Sequence, residues 1–187
     1  MKGGAERPLP PCTGEFAMSY AGFFLIAKPI LQDPNFKHSV VFLLAHNAEG
    51  AFGLVVNRPA QAEGLPWPLF AGGPCPSPGL LMLHGHPEWA EPSPDEPESG
   101  KEEELAPGIY SGDAACLDRA TQTEEGQPLR FRVFSGYAGW GGGQLEGEMA
   151  VGAWAVVPAN GTLLFDTPVE ELWERLAPPR IPEPSVN

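Results

Sequence analysis

Apolar residues along this chain come in short runs bounded by glycine, proline, asparagine or aspartate, a spacing that favours strands over long helices. Residues 21–27 (AGFFLIA) have the length of a buried strand. Lys28-Pro29 ends that run, because proline lacks a donor and restricts its predecessor. Residues 39–45 (SVVFLLA) and 51–56 (AFGLVV) form a β-branched, apolar pair. The five residues between them, His46-Asn47-Ala48-Glu49-Gly50, read as a hairpin connection. Asp33-Pro34-Asn35 is a turn, since Asp and Asn bond their own backbone and Pro pre-sets φ. Further strands are expected at 80–84, 109–112, 129–135 and 153–157. In LRFRVFS (129–135), Leu129, Phe131 and Val133 alternate with Arg130 and Arg132, which places the two arginines on the opposite face.

Helical signals are fewer. Residues 114–125 are expected to hold a short helix. Residues 144–150 can make about two turns, with Leu145 and Met149 four positions apart. Thr167-Pro168-Val169-Glu170 reads as a capping box with proline at the first helical position, followed by Leu172 and Leu176 on one face. Between 59 and 78, prolines and glycines leave room for no long element. Many short strands with a few short helices define an α+β domain.

Composition agrees with that pattern. The chain has 187 residues, enough for one domain with a substantial core. Gly and Pro number 23 each without a collagen-like period, so the excess reports turns. The expected organisation is a loose tail at 1–18, one domain at 19–178 and a short tail at 179–187. Within the domain, residues 86–107 are acidic, proline-rich and poor in aliphatics, as in a mobile surface loop.

The formal charge of −13 argues against direct nucleic-acid binding, which needs clustered Lys and Arg. Much of that charge is local: residues 88–104 carry eight acids and one lysine, a net of −7. No apolar run is long enough for a transmembrane helix, and the N-terminus has no secretory h-region. Cys12, Cys75 and Cys116 match no disulfide or zinc spacing. Reduced thiols in a cytoplasmic protein are the expectation.

Three stretches could carry chemistry. Gly136–Leu145 reads GYAGWGGGQL, with five glycines in eight residues between a predicted strand and a predicted helix. Its backbone N–H groups could face an anion, or the stretch could be a tight corner packed by Tyr137 and Trp140. No Gly-Lys-Ser/Thr follows, and no dinucleotide fingerprint is present. Asn57-Arg58-Pro59 offers a guanidinium beside an amide, suited to a carboxylate or phosphate; equally, Asn57 could cap a turn and Arg58 pair with Glu146 or Glu148. Of His38, His46, His84 and His86, only His84-x-His86 is close in sequence, and further metal ligands are missing. No G-x-S-x-G elbow is present, so no catalytic residue, metal or cofactor is assigned.

These stretches, in this order, resemble the YqgE/AlgH family. The resemblance rests on GFFLIAKPILQDPNFKHSVVFLLAHNAEGAFGLVVNRP (22–59), GGPC (72–75), LMLH (81–84), GIYSGD (108–113) and RFRVFSGYAGWGGGQLEGE (130–148). It continues through GAWAVVPA and LFDTPVEELWERL, covering about residues 20–177. Two departures stand out: Gly142 stands where the family usually has proline, and the acidic insert near 90–104 is longer than usual. The resemblance implies an α+β domain with a strongly bent, barrel-like, mostly antiparallel sheet in a bacterial cytoplasmic protein. Some members are described as regulators, including of exopolysaccharide synthesis; the acidity here points to indirect regulation.

The leading functional reading is a non-enzymatic binding or regulatory protein with an unknown protein partner. Its expected contact surface joins Asn57 and Arg58 to Tyr137, Trp140, Gly141, Gly143 and Gln144. The alternative is a small-molecule anion binder or enzyme. In that version the Gly136–Gly143 amides hold the anion, Arg58 pairs with it, and His84 or His46 acts as base.

Overall fold

The computed structural model describes residues 19–62, 64–89, 104–122 and 130–178. The expected tails and most of the acidic loop lie outside those residues. Eleven strands and four α-helices are described. The strands are β1 (Phe23–Ala27), β2 (Val40–Asn47), β3 (Gly50–Val55), β4 (Pro59–Ala60), β5 (Leu69–Ala71), β6 (Leu81–His84), β7 (Glu104–Ala106), β8 (Ile109–Gly112), β9 (Phe131–Ser135), β10 (Ala138–Gly141) and β11 (Trp154–Pro158). The helices are α1 (Ala114–Gln122), α2 (Gln144–Ala150), α3 (Gly161–Asp166) and α4 (Leu172–Leu176).

The α+β class and mainly antiparallel pairing agree with the sequence reading. The strands divide between two sheets. One has the order β10-β3-β2-β1-β11, the other β4-β5-β9-β6-β8-β7. Among the named pairs only β5 with β9 is parallel, and neither sheet closes into a barrel among the described residues. A register shift between Leu43 and Ala45 marks a bulge in β2, a device that bends a strand.

Side-chain alternation builds four layers from this topology. Phe24 and Ile26 of β1, Val40 and Phe42 of β2, and Leu54 of β3 face a core shared with Phe70, Leu83, Ile109 and Phe134 of the other sheet. Their neighbours Leu25, Ala27, Val41, Leu43 and Val55 face the opposite way, onto Leu145 of α2, Trp140 and Trp154. On the far side of the second sheet, Met82, Phe131 and Val133 meet Cys116 and Ala120 of α1. Both faces of these strands are buried, which explains why residues 21–27 and 39–45 read as continuous apolar runs.

Several expectations shift. The hairpin turn is tighter than the five residues foreseen, because β2 runs to Asn47 and β3 starts at Gly50. The Thr167 capping box does not form. Thr167 closes α3 as its C-cap, and α4 starts only at Leu172, with Glu171 as N-cap. Proline is common both at the first helical position and just past a helix end, and Pro168 serves the second role. The N-cap that does operate is Asn160, whose side chain accepts from Leu163 N at 2.9 Å. Short strands β4 and β5 fit between the prolines of 59–78. Within the stretch read as an acidic loop, Pro87–Trp89 form a 3-10 turn and Glu104–Ala106 pair with β8.

Candidate functional site

The glycine-rich stretch is a strand before it is a corner. Residues Ala138–Gly141 pair with Gly50–Gly53 of β3, at the outer edge of their sheet. Gly136 (φ 75°) donates to Ser77 Oγ at 3.0 Å, and the backbone of Tyr137 exchanges two bonds with Cys75. Gly141 N donates to Gln144 Oε1 at 3.1 Å. The amides of 136, 137 and 141 are thus bonded within the protein itself. Gly143, in the left-handed region, opens α2.

The side chains of this stretch are also committed. Trp140 is 5% exposed, and its Nε1 donates to Glu148 Oε2 at 3.0 Å. Trp154 Nε1 donates to the same oxygen at 2.8 Å, while Gln144 Nε2 reaches Glu148 Oε1 at 3.3 Å. Phe36 stacks on Trp140 and meets Trp154 edge-on. Tyr137 packs against Phe52, with ring centroids 4.9 Å apart.

Asn57 and Arg58 grip the 33–38 turn. Asn57 Oδ1 accepts from Val40 N at 2.8 Å, and its Nδ2 donates to His38 O at 2.9 Å. Arg58 donates to the carbonyls of Asn35, Pro34 and Lys37, and not to Glu146 or Glu148 as foreseen. Burial lowers the Arg58 pKa, and the nearby Asp33 charge opposes that shift. The turn ends at His38 with φ 56°, a left-handed conformation uncommon outside glycine. Because Phe36 belongs to this turn, Arg58 and Trp140 both hold the same structural unit, one through its backbone and the other through its ring.

His84 lies elsewhere, fully buried in the second sheet against Tyr110 and Trp89. The N–H of His86 donates to its Nδ1 at 3.2 Å, so a neutral ring carries its proton on Nε2. That Nε2 faces Cys116 Sγ at 3.9 Å and can donate to sulfur; it has no lone pair with which to take the thiol's proton. Asp113 is held below the ordinary carboxylate range, first by the Cys116 N–H bond, with a bond from the Cys116 thiol acting the same way. An anion beside the thiol does not favour a thiolate. His46 follows the same logic: Tyr20 N donates to Nδ1 at 3.1 Å, leaving Nε2 to donate to Glu146 at 2.8 Å. Neither histidine is free to act as the expected base.

One functional group that sequence reading left unassigned is Arg132. It is 5% exposed, and its terminal nitrogens donate to Val56 O and Leu164 O. The guanidinium carbon sits 5.0 Å from the Phe70 ring centroid. No carboxylate pairs with it among the described residues, and burial pushes its pKa down to about 10. Arg132 lines a cleft of about 470 Å³ together with Pro68, Phe70, Phe131, Phe165, Asp166, Thr167, Pro168 and Val169. Asp166 is already forked to Arg130, with bonds of 3.1 and 3.3 Å. The available signal was the arginine inside LRFRVFS, a strand otherwise apolar enough to be buried on both faces.

The two-sheet core, with α1 and α2 packed on its outer faces, defines an α+β protein. The chain belongs to the AlgH-like family, whose family model matches residues 24–179. It is 33% identical over 175 residues to a UPF0301 protein of Thioalkalivibrio sulfidiphilus, covering 85% of this chain and 88% of that one. A UPF0301 protein of Anaeromyxobacter dehalogenans is 35% identical over 172 residues, covering 81% and 83%. The solution structure of the AlgH protein from Pseudomonas aeruginosa superposes with a TM-score of 0.61 at 30% identity, covering 91% of this chain and 90% of that one. A crystal structure of a Corynebacterium diphtheriae protein has a TM-score of 0.63 at 19% identity over 92% and 88%, a likeness of fold.

Proposed function

We propose that this protein works by binding and not by catalysis, and that its ligand is a small anion seated on Arg132. The carrying observation is the buried Arg132, a residue of the cleft lining whose guanidinium has no carboxylate partner among the described residues. An ion held out of water is costly unless paired. An anionic ligand would offset that cost in the bound state. Both ring nitrogens of His84 and of His46 are engaged, Nδ1 as an acceptor of a backbone N–H and Nε2 toward Cys116 or Glu146, which supports a role without general-base chemistry.

Regulation, on this reading, is indirect: ligand occupancy changes the protein, with no DNA contact required of a chain carrying −13. The Cys75 thiol, outside any disulfide among the described residues, favours a cytoplasmic setting. Thermal unfolding in sodium acetate, phosphate or octanoate, against chloride at equal ionic strength, tests the anion site. At least one anion should raise the Tm of wild type and not of Arg132→Met. Equal shifts in both proteins would remove Arg132 from the reading.

A second contact face is favoured by the outer position of β10, where Gly139 and Gly141 are exposed. A partner's extended segment could add a strand there. A folded Gly139→Pro variant that retains every wild-type partner in pull-down would sink this reading.

A further inference from the structure

We infer that the ligand of the Arg132 cleft is a monoanionic carboxylate carrying an apolar chain or ring; this rests on the reading of the cleft as an anion site. The lining divides sharply by chemistry. Phe70, Phe165, Val169 and two prolines supply apolar walls, and Arg132 supplies a positive charge with no carboxylate partner among the described residues. The second basic group nearby, Arg130, is neutralised by its two bonds to Asp166. The site therefore offers one net positive charge set in an apolar surround.

That balance selects among anions. A phosphate carries up to two charges and several strongly hydrated oxygens, and a single guanidinium can replace only part of the lost water. A carboxylate brings one charge on two coplanar oxygens, the geometry a guanidinium fork matches. An apolar tail gains by covering the phenylalanine walls, a gain that phosphate or acetate cannot collect. The cleft volume lies within the range usual for small-molecule sites.

The fork is also held in advance. The Val56 and Leu164 carbonyls take one N–H from each terminal nitrogen, and a guanidinium has five. The ligand would add to those bonds without displacing them. Fixing the donor before binding removes part of the ordering cost of association.

The test is isothermal titration of the full chain with octanoate, 1-octanol, octylammonium and inorganic phosphate. Wild type, Arg132→Met and Val169→Trp are compared, each checked for a cooperative melt. Val169→Trp puts a bulky ring at the cleft without removing a hydrogen-bond partner of Arg132, and a wild-type-like cooperative melt then separates lost binding from a folding defect. Octanoate should bind wild type at least about tenfold tighter than octanol or phosphate, and both variants should weaken it by about tenfold or more. Phosphate bound in preference to octanoate, and lost in Arg132→Met, would overturn the carboxylate inference while the anion site stands. Octanol binding as tightly as octanoate would overturn the part played by charge. No anion bound by wild type, or octanoate bound equally by all three proteins, would overturn both the inference and the anion site.

Discussion

The guanidinium of Arg132 donates to the carbonyl of Val56, a residue 76 positions earlier, and so ties β9 of one sheet to the end of β3 in the other. The same side chain reaches Leu164 in α3. This cation joins three elements while lining the cleft between the second sheet and the segment after α3. Arg132→Lys should therefore destabilise the fold by about 1–3 kcal/mol, since an ammonium keeps the buried charge but loses the planar fork. Chemical denaturation compares the two proteins. An unchanged midpoint and slope would mean the fork contributes nothing to holding the sheets together.

Glu148 is the shared acceptor of two indoles. Trp140 and Trp154 both donate to its Oε2 from a largely buried cluster. Glu148→Ala should leave two buried donors unpaired and cost about 2–4 kcal/mol. Glu148→Gln keeps one carbonyl oxygen at the site and should lose clearly less. Matching losses in the two variants, read from denaturant midpoints, would show that packing and not hydrogen bonding makes the difference.

Asp113 sets an acid-sensitive cap. Its Oδ1 accepts from Cys116 N at 3.0 Å, and that bond is the first cause of its lowered pKa. The folded pKa is below the unfolded one. Its stabilising contribution is therefore complete above the ordinary aspartate value near 4 and is lost as pH falls through the folded value. Asp113→Asn should retain the cap at pH 7 and flatten the stability loss below about pH 4. Asp113→Ala should lose about 1 kcal/mol at pH 7. A wild-type acid slope in Asp113→Asn, from urea unfolding at several pH values, would exclude this carboxylate as a source of it.

Gly50 lets β3 approach β10 closely. Its φ is 146°, and a Cβ there would lie 2.1 Å from the Trp140 carbonyl oxygen. Gly50→Ala should cost several kcal/mol, about 2–4, by forcing the edge strand away. Near-wild-type thermal stability of that variant would contradict the close approach.

The sequence disclosed the inner strands well because their burial on both faces leaves uninterrupted apolar runs, as in FFLIA and VVFLLA. It was less informative where one local signal serves two purposes. Thr167-Pro168 suits a helix start and a helix exit equally, and tertiary packing decides for the exit. The glycines of 136–143 permit either an anion cradle or a tightly paired edge strand. Only the partners Ser77, Cys75 and β3, distant in sequence, show which is built. For Arg58, the carbonyls it binds belong to a turn 21 to 24 residues away, and backbone acceptors leave no trace in residue identity. Arg132 was visible as a charge in an apolar strand. That it is buried without a carboxylate depends on how two sheets and α3 meet.

The most direct test of a ligand-facing Arg132 is a crystal structure of the full chain grown with octanoate. A carboxylate with both oxygens about 3 Å from the Arg132 guanidinium, and its chain along Phe70, Phe165 and Val169, is the predicted result. Octanoate bound elsewhere, with Arg132 still contacting only Val56, Leu164 and Phe70, would contradict it.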